Sequence, residues 1–450
     1  MAPPSSPTGP DVDAPDLRSV AAERGTSLVG LFVEYLSAVR TGKIGPSSTK
    51  AAAPGGHTLL AVCPTSPAVT RAALRAADRA GAPLLYAATL NQVDRDGGYT
   101  GWTPAAFADF VDREADRMDV DIPIVLGLDH GGPWKKDRHV LEDLSYDETQ
   151  AEVRTSIAAC IDAGYELLHL DPTTDRRLPP GEEPAPSQIA ERTLDLLRFA
   201  EKARRDRGRP PLAYEVGTEE SGSGLDTQDR FHAFLDHLDA GLRETGLPAP
   251  AFVVGDVGTR LDTSRFDPER ARSLAGAARS KVGALVKGHY TDDVADLAAY
   301  PMSGMGGANV GPGLAAVERS ALSDLVDLEE RIGPSSGLGT ALREAVVTSG
   351  RWRKWVDTAA LEPGADADAL RQAFDALPED RRQWLVATGS RYVWSDASVQ
   401  EARARLYENV SPYRDARAYV EWRIETEITR YLHAFHLIGF LRRFRDWLSH

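Results

Sequence analysis

The sequence predicts an α/β protein, a (β/α)8 TIM barrel with an N-terminal helix and a C-terminal helical appendage. Three observations point there. Eight short apolar runs alternate with helical stretches between residues 58 and 332. The runs are continuously apolar, as strands of a parallel sheet covered by helices are. Polar residues follow most of the runs in one phase, which puts them at the barrel end where this fold keeps its active sites.

Residues 1–15, rich in Pro, Ser and Asp, read as a disordered leader. Leu17, Val20, Leu28, Leu31, Phe32, Tyr35 and Leu36 fall near helical spacing and predict one helix over 17–42. With the loop 45–56 it forms an N-terminal segment of 16–56. The barrel is expected over 57–332. Its strands are expected at 58–63, 83–88, 122–128, 166–170, 211–216, 251–255, 282–287 and 308–310, the last flanked by glycines. Helices are expected at 66–81, 104–119, 147–163, 187–207, 228–245, 267–279 and 314–332. Residues 333–450 form the appendage, opened by a Gly/Pro/Ser linker at 333–339. Its last stretch, 415–448, carries a wide apolar face expected to pack on the barrel or on a second subunit.

Composition narrows the function. The net charge of −15, with no basic stripe, argues against nucleic-acid binding. Two cysteines, Cys63 and Cys160, cannot build a disulfide framework, and Cys63 reads first as a small buried residue. No apolar run approaches the ~20 residues that cross a bilayer. The N-terminus lacks the basic start and apolar core of a signal peptide, so a cytoplasmic protein that does not engage membranes is expected.

The chemistry-bearing segments lie after the strands. Gly127-Leu128-Asp129-His130-Gly131-Gly132-Pro133-Trp134 delivers an Asp-His pair at the end of the third. Neighbouring residues there point apart, so His130 can hold a metal while Asp129 moves a proton. His289, after the seventh strand, can meet His130 across the mouth. Two histidines leave a metal short of three protein ligands, and Glu219 or Asp256 is the candidate third. Glu215, Glu219 and Glu220 follow the fifth strand as candidate ligands or general bases. After the second strand, Asn91, Gln92 and the Gly97-Gly98 turn suit a hydroxyl-rich ligand. The glycines from Gly304 to Gly313 open a helix whose N-terminus, around Gly311, is a candidate phosphate cradle.

These segments together resemble the class II D-tagatose-bisphosphate aldolase family, specifically its Z-type subunit. The family reads roughly "EATSNQVNQFGGYTGMTP" where this chain has Ala87 to Pro104, and "GGDHLGP" where it has Gly127 to Pro133. Its "IHLDAS", "IGTE", "EGHSTD" and "KVGP" resemble Leu168–Thr173, Val216–Glu219, Lys287–Asp292 and Asn309–Pro312. The likeness runs in order over roughly 57–332, with an echo at Arg391-Tyr392-Val393-Trp394. It departs at Ala87 and Lys287, where the family has Glu, and in the loop 255–260. A lost glutamate and an added lysine favour a more anionic ligand if they face inward.

The resemblance implies a barrel acting on ketose phosphates through a divalent metal, zinc first, with manganese, cobalt or iron compatible with the same ligands. It implies Asp129 as proton carrier, with Glu219 beside it, and His130 and His289 on the metal. Asn91, Gln92, Gly98, Asp171, Lys287 and Gly311 are the expected sugar or sugar-phosphate contacts. Activity would be aldol cleavage or C4 epimerisation. Z-type chains are also described as non-catalytic partners of a separate aldolase subunit, so a stabilising subunit is the alternative, and an enzyme for an unusual sugar a third. A homo-oligomer or a catalytic aldolase subunit is the expected protein partner.

Overall fold

The computed structural model describes residues 16–43, 56–179, 181–220, 224–260, 263–356 and 365–450. Eight parallel strands close into a barrel: β1 (Leu59–Val62), β2 (Leu84–Thr89), β3 (Ile124–Gly131), β4 (Leu167–Leu170), β5 (Ala213–Gly217), β6 (Phe252–Val254), β7 (Leu285–Gly288) and β8 (Met305–Val310). Each pairs with its sequence neighbours, and β8 returns to β1 with Leu59 opposite Gly307 and Val62 opposite Val310. Every expected barrel strand and helix overlaps an observed one.

The helices begin where side chains can serve their free N–H groups. Ser66, Thr103, Ser145, Thr227 and Asp267 each accept from the first turn, and proline opens the helices at Pro67, Pro104 and Pro268. β8 is longer than the expected 308–310 because the flanking glycines Gly306 and Gly307 lie inside it. A Cβ on Gly306 would sit 2.4 Å from the Cβ of Leu285 on β7, so close strand approach requires glycine there.

The single expected N-terminal helix is two, Leu17–Glu23 and Leu28–Arg40, because Ser27 caps a new start by accepting the Gly30 N–H. Both cover the N-terminal end of the barrel. Arg18 donates to the Ile124 carbonyl and Glu166, and Arg40 to the carbonyls of His57 and Met305. The expected leader, 1–15, and nearly all of the loop 45–56 lie outside the described residues.

The apolar face of the last stretch turns onto this chain's own barrel. Val420, Ile424, Ile428 and Leu432 of the helix Ala416–Ala434 are buried, and Glu421 and Glu425 pair with Arg71, Arg75 and Arg79 on the helix Pro67–Ala80. Phe440 and Phe444 pack edge-on against Phe32 and Tyr35. Among the described residues no helix is long and apolar enough to cross a membrane.

Candidate active site

The cavity at the C-terminal end of the barrel is lined by Asn91, Gln92, Asp129, His130, His289 and Asn309, among others. Strand alternation would send Asp129 and His130 to opposite sides. A break in register between Leu128 and Gly131, with His130 in the left-handed region at φ 48°, turns both side chains into the cavity. Such a conformation is costly for a residue with a Cβ and clusters at functional sites.

Three imidazoles meet there. The rings of His130, His169 and His289 lie 4.9–5.2 Å apart, centroid to centroid. One nitrogen of each is held from outside the group. His130 Nδ1 donates to Asp171 at 2.6 Å, His289 Nε2 to Glu215 at 2.8 Å, and His169 Nε2 to the Gly217 carbonyl at 2.9 Å. The other nitrogens converge, with His130 Nε2 only 3.2 Å from His289 Nδ1. His169 Nδ1 lies 2.9 Å from Asp129 Oδ1 and 3.1 Å from the His130 main-chain nitrogen. One donor atom from each of Asp129, His130, His169 and His289 falls within 4.8 Å of all the others. Imidazoles oriented this way by carboxylates and carbonyls are typical of metal ligands.

Glu219 strengthens that reading. It is 1% exposed, and among the described residues its carboxylate oxygens have imidazoles as their cationic neighbours and no backbone or hydroxyl donor. Its Oε2 is 3.2 Å from His289 Nδ1 and its Oε1 3.8 Å from His130 Nε2. A carboxylate buried this deeply is costly unless positive charge, on the imidazoles or on a cation, sits beside it. The donor set therefore suits a divalent ion with nitrogen and oxygen ligands.

The electrostatics follow from burial opposed by neighbours. Burial would lower His130, but Asp129, the Asp171 hydrogen bond and Glu219 raise it to about 9. His289 is likewise depressed by burial, yet Glu219, Asp129 and Glu215 hold it well above its ordinary value. Burial would raise Asp129, but His130, His289 and His169 hold it well below the usual carboxylate range. Asp129 is thus held in its ionised form, with Asn309 Nδ2 3.2 Å from its Oδ2.

Several expected contacts sit elsewhere. Asp256 accepts the Gly258 N–H at 2.8 Å and pairs with Arg270 at 3.1 Å, so its carboxylate is directed away from the histidines. Asp171 is fully buried behind the cavity, where it holds His130, Lys135 and the Thr173 hydroxyl and does not line the sugar space. Lys287 does face inward, but its ammonium is 2.6 Å from Glu215 in a pair at most 2% exposed, so its charge is neutralised below the site. Gly98 has a steric role. At φ 51° a Cβ there would lie 2.3 Å from the Gln92 carbonyl oxygen. Gly311 lines the cavity, yet its N–H and that of Gly313 both donate to Asp292 Oδ1, at 3.0 and 2.7 Å. The expected phosphate cradle already holds a carboxylate of the chain itself. Asn91 lines the cavity while its amide bridges Lys135 and Asp137 main-chain atoms, and Gln92 lines it while accepting the Thr89 N–H. Burial pushes the Cys63 thiol well up.

Sequence reasoning missed His169, Lys135, Asn309 and Arg391 as site residues. His169 had a signal, since it shares the inward parity of β4 with Asp171, as Glu215 does with Glu219 and Lys287 with His289. Arg391 and Tyr392, from the appendage, had only the faint motif echo, because nothing in strand periodicity says where a distant helix pair will lie.

Comparisons with known proteins bear on the family and the fold. Residues 47–232 match the model of the family described as D-tagatose-1,6-bisphosphate aldolase subunit GatZ/KbaZ-like. Among solved structures, a probable tagatose 6 phosphate kinase from Sinorhizobium meliloti 1021 superposes with TM-score 0.64 at 24% identity, over 84% of this chain and 100% of that one, a likeness of fold. The fructose-bisphosphate aldolase of Campylobacter jejuni aligns at TM-score 0.48 and 12% identity, over 92% of this chain and 94% of that one. The matched residues run from the end of the N-terminal segment past the fifth barrel strand, and over that stretch the chain is similar to this family.

Proposed function

We propose that this chain is a metal-dependent enzyme acting on a ketose or ketose phosphate, by aldol cleavage or by C4 epimerisation. The observation that carries the reading is the convergence of three outward-anchored imidazoles with Asp129, one donor atom of each within 4.8 Å of the others, and Glu219 beside His130 and His289. His130, His289 and Glu219 would hold a divalent metal, zinc in the first instance, with His169 beside them. Such an ion supplies a Lewis acid for a carbonyl or hydroxyl oxygen. Asp129, ionised and facing the cavity, takes the proton of a substrate hydroxyl and returns it in the reverse step. Asn309 fixes the Asp129 carboxylate by donating to Oδ2. Asn91 and Gln92 border the space where the sugar hydroxyls lie.

The alternative, a stabilising subunit for a separate aldolase, drew on the apolar face at 415–448. That face is largely covered by this chain's own barrel and N-terminal helices. The enzyme reading places the protein in the cytoplasm, where sugar phosphates are found.

Elemental analysis of the purified chain tests the metal, and a ketose and ketose-phosphate panel tests the chemistry. We expect about one metal per chain, absent from a His130→Ala/His289→Ala variant. Asp129→Asn should keep the metal and lose turnover by roughly 10²–10⁴. Full turnover in Asp129→Asn, or no metal after reconstitution, would overturn the reading.

A further inference from the structure

An anion entering this cavity finds almost every positive group already matched. Lys135 pairs with Asp171 and Glu220, Lys287 with Glu215, and His130 and His289 with Asp171, Glu215 and Glu219. The helix start at Gly311 and Gly313 is filled by Asp292. Among the described residues lining it, the exception is Arg391, from the short 3₁₀ turn Ser390–Tyr392 of the appendage. It lines the same cavity as Asp129 and His130 and is 8% exposed.

Arg391 has no carboxylate partner among the described residues. Nη1 donates to the Thr388 carbonyl at 2.6 Å and Nη2 to the Tyr392 hydroxyl at 3.0 Å, which leaves three of its five N–H groups without an acceptor among the described residues. Its plane is held between rings, 4.5 Å from the Tyr392 centroid and 5.4 Å from that of Trp355. Tyr392 in turn packs edge-on against Tyr99 at 5.0 Å, and Ser395 donates to the Tyr99 carbonyl at 2.5 Å, so the appendage is fixed to the β2 loop. A guanidinium buried without a counter-charge is unfavourable on its own and favourable once an oxyanion arrives.

We propose that Arg391 is a specificity residue that binds an oxyanion of the substrate, phosphate or carboxylate, opposite the metal ligands. The appendage thereby completes the barrel's binding site. The identity of the sugar rests on the ketose reading above, but the oxyanion site does not.

Calorimetric titration of the full chain separates the two. The probes are D-tagatose, D-tagatose 6-phosphate and D-tagaturonate, with inorganic phosphate and acetate alone. We expect one anionic sugar to bind at least about tenfold tighter than D-tagatose, as a charge-assisted pair implies. The phosphate and acetate arms show which oxyanion is taken. In Arg391→Met the preference should fall below about twofold while D-tagatose affinity stays. Arg391→Lys should recover part of it, and Lys202→Met, on an exposed barrel helix, should keep all of it. A preference unchanged in Arg391→Met, or an unmodified chain that binds D-tagatose without favouring either anionic sugar, overturns the proposal. Phosphate or acetate binding that depends on Arg391 without any ketose binding would sustain it and overturn the ketose reading instead. Should Arg391→Met not fold, the Arg391→Lys data decide: a preference reduced at least about threefold supports the proposal, and an unchanged one overturns it.

Discussion

Lys287→Met is the perturbation whose cost can be worked most directly from the structure. The Lys287 ammonium lies 2.6 Å from Glu215 Oε2, in a pair at most 2% exposed. At an effective dielectric of 20 their attraction is about 6 kcal/mol, before the desolvation of both groups is set against it. Burial would raise Glu215, but Lys287 first, then His169 and His289, bring it down to about 2. Without Lys287, the carboxylate stays charged with His289 as its remaining close partner, or takes a proton. Keeping it protonated at pH 7, against an unfolded value of about 4.3, costs about 3.7 kcal/mol, which caps the loss from this group. We therefore expect Lys287→Met to lose about 3–4 kcal/mol at pH 7 in urea unfolding followed by circular dichroism.

The sign of the pH dependence is fixed by the same argument. In the variant the folded-state value of Glu215 rises above the unfolded one, so stability is fully present below about pH 4.3 and falls as pH rises through the folded value. The deficit against the unmodified chain should shrink by up to about 1.4 kcal/mol per unit from pH 7 to pH 5. Glu215→Gln/Lys287→Met, which leaves no charge behind, should return to within about 1–2 kcal/mol of the unmodified chain. A loss below about 1 kcal/mol, a deficit flat between pH 5 and 8, or a double variant no better than the single would each refute the reasoning.

Three other outcomes are expected. Glu219→Gln should lower bound zinc severalfold or more in an equilibrium dialysis series, while Asp256→Asn, whose side chain faces Arg270, should leave zinc content unchanged. Asp292 is raised by burial to about 6 despite the Gly313 and Gly311 N–H groups, so its contribution is fully present below about pH 4 and lost as pH rises through 6. Asp292→Asn should therefore gain on the unmodified chain in melting temperature between pH 4.5 and 7.5, and parallel curves would contradict this. Because Glu421 and Glu425 anchor the last long helix on the barrel, Glu421→Ala/Glu425→Ala should lose about 1–3 kcal/mol of unfolding free energy, with a smaller loss at high salt.

The barrel was legible because its strands are apolar on both faces and its helices open with capping residues and prolines, signals that survive without any alignment. Asp129, His130 and His289 were legible because glycines and strand ends mark where a barrel does its chemistry. What was not legible depends on pairings across the barrel. Lys287 reads as a free cation until Glu215, 72 residues earlier, is seen beside it. Gly311 reads as an anion cradle until Asp292 is found in it.

Those two pairings change what the departures from the family pattern mean. From the sequence, Lys287 in place of a glutamate suggested a more positive mouth and a more anionic ligand. In the structure that positive charge lies under the histidines and stabilises the ionised Glu215 that anchors His289 Nε2. Its effect is on how His289 is presented, not on what the cavity attracts. A site of this kind receives its free positive charge from outside the barrel, through Arg391, and that charge sits on the 3₁₀ turn that the Tyr99–Tyr392 contact holds in place. Tyr99→Ala should therefore loosen the appendage at its attachment to the β2 loop and weaken anion binding without removing a single charge. Zinc content should stay unchanged, because Tyr99 touches none of the imidazole anchors. If anion affinity in Tyr99→Ala matched that of the unmodified chain, the appendage would be a cover on the barrel and not part of its binding site.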